Sequence, residues 1–159
     1  MAGLAALYSE GGEHLRGAVL EAYLIAGDKD AVYNIAANAA SAEEFEAAVQ
    51  MLGAMGATDE LRTLSETSDY TEATIQALGI AGGDDVNETL MRLYRDAETD
   101  EIRSAALEGM LISGYDEGVL ELYKESTDVK EKRELLQMLS IMDSDLMLEV
   151  IDAALEGGL

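Results

Sequence analysis

The stretch Leu20-Glu-Ala-Tyr-Leu-Ile-Ala-Gly-Asp28 decides the fold, because the same line of side chains is written four more times downstream. It returns as Val49-Gln-Met-Leu-Gly-Ala-Met-Gly56, Ile75-Gln-Ala-Leu-Gly-Ile-Ala-Gly82, Leu107-Glu-Gly-Met-Leu-Ile-Ser-Gly114 and Leu136-Gln-Met-Leu-Ser-Ile-Met-Asp143. A shorter apolar pair follows each copy: Val32/Ile35, Leu61/Leu64, Leu90/Leu93, Val119/Leu122 and Leu148/Ile151, with Leu4/Leu7 ahead of the first. The second members stand at 7, 35, 64, 93, 122 and 151, so the chain repeats every 28 or 29 residues. A period of that size belongs to stacked helical hairpins, in which one hairpin cannot bury its apolar face alone and its neighbours complete the core.

Composition agrees. The 159 residues contain no proline, few aromatics and much Ala, Leu, Met, Glu and Gln, which favours helix at nearly every position. The expectation is a single all-α domain over 1–159, an α-solenoid of about five hairpins preceded by one unpaired helix. The helix covers about 2–10 and the repeats about 13–40, 41–68, 69–97, 98–126 and 127–157. Each repeat reads as a longer first helix, a Gly-Asp or similar turn, and a shorter second helix carrying the apolar pair.

Gly27, Gly56, Gly82 and Gly114 stand where a first helix must stop, in the left-handed conformation that glycine adopts without steric cost. Asp28, Asp59, Asp84, Asp116 and Ser144 follow as candidate caps for the second helix. Glu21, Gln50, Gln76, Glu108 and Gln137 form an always-polar column that should face water. Ala18, Ala47, Ala73 and Ala105, broken by Glu134, form a small-residue column expected at the seam between hairpins. The stretch Gly82-Gly-Asp-Asp-Val-Asn-Glu88 reads as a lengthened turn, matched by a shortened loop before the third repeat. The tail Leu155-Glu-Gly-Gly-Leu159 brings no polar capping repeat, as expected of a piece of a longer array.

Charge narrows function. Thirty-three acids against ten bases give a net charge of -23, which opposes nucleic acid and anionic membrane surfaces. No apolar run approaches a membrane span, and residues 1–13 lack the basic start and apolar middle of a secretory signal. Cysteine is absent, so no disulfide framework or thiolate metal site is available. His14 is the only histidine and no spacing converges carboxylates upon it. The acids around Asp28 do not form a calcium loop, since the sixth position is Tyr33 where that loop requires glycine. No nucleophile is paired with a base and no Gly-Lys-Ser/Thr follows Gly83, so the sequence offers no catalytic constellation, metal or cofactor.

The period, the run Ile102-Arg-Ser-Ala-Ala-Leu-Glu-Gly-Met110 and the run Leu15-Arg-Gly-Ala-Val-Leu-Glu-Ala22 resemble bacterial HEAT-like repeats, of the kind also seen in phycobilisome lyase proteins. The resemblance implies a right-handed superhelix of helix pairs that exposes its second helices on a concave face and acts as a protein-binding scaffold. It also implies, as an alternative, a lyase or chaperone-like protein acting on a bound tetrapyrrole or similar ligand. The chain departs from the family pattern in lacking the proline that opens first helices. Its basic residue, kept as Arg16, Arg103 and Lys132, is replaced by Phe45 and Thr71.

The face that the resemblance assigns to partners carries Arg62, Arg92, Arg95 and Lys124, four of the ten bases. Together they can form a positive island for a carboxylate-rich peptide, or pair with neighbouring acids as solvated surface bridges. Tyr94 and Tyr123 share a column with Tyr8, with Tyr33 just off it. They serve either as interface anchors or as rings tucked beside core leucines. Met51, Met55, Met138, Met142 and Met147 read as core filler or as an adaptable groove. A third possibility makes the acidity an adaptation to salt, with no specific site.

Overall fold

The computed structural model describes residues 2–67, 71–142 and 145–155, and among these every regular element is helical. The helices are α1 (Ala2–Glu10), α2 (Glu13–Ala26), α3 (Lys29–Ala37), α4 (Ala42–Ala54), α5 (Thr58–Thr67) and α6 (Thr71–Ala81). They continue as α7 (Asp84–Arg95), α8 (Asp100–Ser113), α9 (Asp116–Glu125), α10 (Val129–Ile141) and α11 (Leu146–Leu155). The principal packing partners of each helix are adjacent in sequence or one helix removed. The even-numbered helices α2, α4, α6 and α8 carry the long phrase and pack side by side, while α3, α5 and α7 form a second, looser row.

Gly27, Gly56, Gly82 and Gly114 all have φ between 61° and 72°, so the expected helix stops are where the backbone turns left-handed. The starts differ from expectation. Asp28 does cap α3, accepting the Ala31 N–H at 3.1 Å. Asp59, Asp84 and Asp116 instead lie inside the first turns of α5, α7 and α9, where they complement the helix dipole without capping it. Ser144 is outside the described residues. The other side-chain caps are Ser41, Thr99 and Asp128, which open first helices. The lengthened turn at 82–88 is also helical for the most part: only Gly82 and Gly83 turn, and α7 begins at Asp84. The shortened loop before it falls on 68–70, outside the described residues.

One apolar cluster runs from Tyr8 to Val150, with Leu52, Leu61, Ile75, Leu78, Leu90, Met110, Leu135 and Leu139 fully enclosed. Burying each such side chain contributes about 1.5–3 kcal/mol. Val19, Ala48, Thr74, Ala106 and Leu135 form the innermost line of the first helices, and Glu21, Gln50, Glu108 and Gln137 face water as their column predicts. The five methionines pack against the core as partly buried filler.

Two expectations about packing are corrected. Ala18 and Ala47 are exposed while Ala73 is half-buried and Ala105 buried, so the alanine column lies inward only in its second half. The seam is made by Gly53 against Ala77 and by Gly79 against Gly109, where a β-carbon on Gly53 or Gly79 would come within 2.7 Å of the opposite carbonyl oxygen. The pair Leu148/Ile151 is exposed, and α11 instead turns Val150 inward with Leu146 and Met147 beside it. Likewise α1 buries Tyr8 and leaves Leu7 exposed.

Candidate binding surfaces

The four bases expected to form a positive island are on the exposed face of the odd-numbered helices, among acids. Arg62 pairs with Asp59 at 2.5 Å within α5. Arg92 of α7 reaches back to Glu66 of α5 at 3.6 Å, and Arg95 reaches forward to Glu121 and Glu125 of α9 at 2.7 and 3.0 Å. Hydrogen bonds to these two carboxylates push Arg95 above the ordinary arginine pKa. Lys124 is exposed on α9. A shallow cavity of about 360 Å³ between α7 and α9 holds Arg92 and Arg95 together with Glu88, Asp96 and Glu121. This surface is therefore a ladder of alternating charge rather than a positive island. Each exposed pair contributes about 0–1 kcal/mol.

The tyrosine column turns inward. Tyr94 is only 5% exposed, and its hydroxyl donates to Glu131 of α10 at 2.7 Å while Arg103 of α8 lies 5.9 Å from the ring centre. Tyr8 repeats the arrangement: its hydroxyl donates to Glu44, and Arg16 lies 5.7 Å from its ring. Tyr123 is half-buried under Lys132, whose nitrogen is 5.0 Å from the ring centre. Tyr33 is half-buried against the core. Burial above all, and then the carboxylate acceptor, push the Tyr8 phenol up to about 12 and raise that of Tyr94 further. Ser126 and then Tyr94, by donating to Glu131, hold that carboxylate below its usual range.

These stacks tie α1 to α2, α7 to α8 and α9 to α10, and they explain the interrupted basic column. Where the base becomes Phe45, the tyrosine position becomes Ala36, and both are buried. Where it becomes Thr71, the position is Ser65, also buried, although the Thr71 side chain is outside the described residues. Tyrosine and base are kept or lost together along the chain. That covariation is the sequence signal for a contact that neither column reveals alone.

One apolar-lined opening was not foreshadowed by any motif. It is a cleft of about 560 Å³ between α1 and α3, walled by Ala5, Ala31, Ile35 and Tyr23 with Arg16, Asn34, Asn38 and Glu44 at its polar side. The cleft lies where α1 packs on α2, whereas α3 and α5 each pack on the next odd-numbered helix. Its polar groups are held in place: Glu44 accepts from the Ala40 N–H at 2.7 Å, and the Asn38 amide donates to the Asn34 carbonyl at 2.8 Å. The Nε of Arg16 is buried and has no hydrogen-bond partner. A guanidinium with a buried, unused donor beside an apolar wall suits an amphipathic group carrying a hydrogen-bond acceptor.

Among the described residues no group of three or more His, Asp or Glu side chains converges as a metal site, and no helix is long and apolar enough to cross a membrane. His14 is exposed. The sequence matches no protein-family model and no curated protein.

Proposed function

We propose that the chain is a non-catalytic protein-binding module, a right-handed HEAT-like solenoid that takes a peptide segment along the exposed row of its odd-numbered helices. The helix packing between near neighbours and the recurrence of left-handed glycine turns support the solenoid reading. The observation that carries the binding reading is the α1–α3 cleft, where an apolar wall lies beside Arg16 of α2 with its unused donor. Further along the row, Arg92 and Arg95 are already met by the chain's own carboxylates, so an acidic peptide would have to displace Glu66, Glu121 and Glu125. The cleft asks for no such exchange.

The test is selection of peptides from a displayed random library on the immobilised chain, followed by affinity measurement on Asn34→Trp. Asn34 is exposed at the rim, so an indole there fills the cleft without entering the core. Affinity should fall about tenfold or more, equivalent to about 1.4 kcal/mol, with the melting temperature unchanged. Selected peptides that bind Asn34→Trp as tightly as the parent would remove the cleft from consideration.

A further inference from the structure

The last turns of the even-numbered helices carry an unexplained apolar row. Ile25, Ile80, Ile112 and Ile141 are 87%, 48%, 46% and 67% exposed, and Ala54 holds the same position in α4. Each stands five residues after the start of the recurring phrase, so the row is written once per unit. Single exposed aliphatic residues need no explanation, but a repeated position on α2, α4, α6 and α8, which pack side by side, makes a strip from Ile25 through Ala54 and Ile80 to Ile112. The seam glycines sharpen the point. Gly53 and Gly79 immediately precede Ala54 and Ile80, so α4, α6 and α8 approach to backbone contact beside the strip.

A second row runs next to the first. The odd-numbered helices begin at the same end of each hairpin, and their first turns hold Asp30, Asp59 with Glu60, Asp84 with Asp85, and Asp116 with Glu117. The nearby base, Lys29, directs its ammonium to the Gly56 carbonyl at 3.3 Å, and Arg62 one turn further on is held by Asp59. An apolar strip flanked by acids selects its occupant by charge. A second copy would bring a like-charged row against it, and anionic lipid would be repelled.

We propose that this edge docks a basic amphipathic helix of a partner protein, its apolar stripe on the isoleucines and its Lys or Arg residues on the acidic turns. The dimensions agree: packed helices stand about 8–10 Å apart, and residues seven apart along a helix are separated by about 10.5 Å. One apolar residue per heptad therefore meets one isoleucine per unit. This inference does not depend on the α1–α3 cleft, and loss of either reading leaves the other standing.

The probe is a fluorescein-labelled synthetic helix of about three heptads, built from Leu on one stripe and Lys elsewhere, titrated by anisotropy. The expected result is saturable binding that weakens about tenfold or more in Ile80→Ser/Ile112→Ser, which leaves every charge in place. Asp84→Asn/Asp85→Asn should weaken it as well, and salt should do the same. A control helix with serine for each leucine should bind far more weakly. Equal binding of that control, or unchanged binding to the isoleucine variant, would reduce the effect to bulk charge and overturn the proposal. Amide-shift mapping on the unmodified chain gives an independent readout, since perturbations that avoid residues 80 and 112 also refute it. Sedimentation showing a dimer that Ile80→Ser/Ile112→Ser dissociates would assign the strip to a second copy and likewise overturn it.

Discussion

Replacing Gly79 by alanine should weaken the fold, although the same replacement at Gly17 should strengthen it. Both glycines lie inside helices, where alanine is favoured by roughly 0.5–1 kcal/mol. Around Gly17 there is nothing within 4 Å of the new β-carbon, so the full gain is expected. At Gly79 the β-carbon would lie 2.7 Å from the Gly109 carbonyl oxygen and 2.8 Å from its α-carbon. Carbon contacts are favourable near 3.5–4.0 Å, so α6 and α8 would have to part by roughly 0.7–1 Å. Backbone cannot yield by changing rotamer, and the buried Leu78 and Met110 share the core on either side of this contact. Overpacking of this kind costs about 1–3 kcal/mol, and since backbone faces backbone here the upper part of that range applies, leaving a net loss of up to about 2.5 kcal/mol after the helix gain. For a chain of this length that is a fall of a few degrees in melting temperature. Urea titrations followed by circular dichroism at constant pH would give both values. A Gly79→Ala protein as stable as the parent, with Gly17→Ala stabilised, would show that the two helices do not meet at their backbones.

The capping assignments separate Asp28 from Asp84. Asp28→Ala removes a side-chain acceptor and should cost about 1 kcal/mol, whereas Asp84→Ala loses only a dipole contribution of about 0.3–1 kcal/mol. Thermal melts of the two variants giving the reverse order would contradict the assignment. The tyrosines give a pH dependence. Burial and the Glu44 acceptor raise Tyr8 to about 12 from 10.0, so the folded chain keeps a phenol neutral that the unfolded chain ionises. This stability is fully present below pH 10 and is lost as pH rises from 10 towards 12. Ultraviolet titration should show two phenols ionising last, and Tyr8→Phe should flatten the decline in unfolding midpoint; a Tyr8 signal that titrates with the exposed phenols would refute the burial argument.

The all-helical class, the glycine stops and four of the five water-facing polar positions were legible in the residues. The small-residue seam and the second-helix caps were misread, for different reasons. A column of alanines shows that close approach is possible, but not in which direction the neighbour lies. Ala18 and Ala47 face solvent and Ala73 and Ala105 turn inward, while Gly53, Gly79 and Gly109 meet their partners. The caps failed by a residue or two because Asp is equally at home at a cap and in the first helical turn. Of the two readings of the bases, paired surface bridges describe Arg62, Arg92 and Arg95: Arg62 meets an acid of its own helix, and Arg92 and Arg95 meet acids of neighbouring helices.

What the sequence determined by itself is what contacts within a few residues control: helix spans, left-handed stops, and the face that must be buried. Tertiary structure decided the rest. It set which glycines touch, how the end helices roll, where Tyr8 and Tyr94 send their hydroxyls, and that α1 and α3 part to leave a cleft around Arg16. Those outcomes depend on the distance and angle between units, which are fixed by the simultaneous packing of several side chains that no single repeat contains.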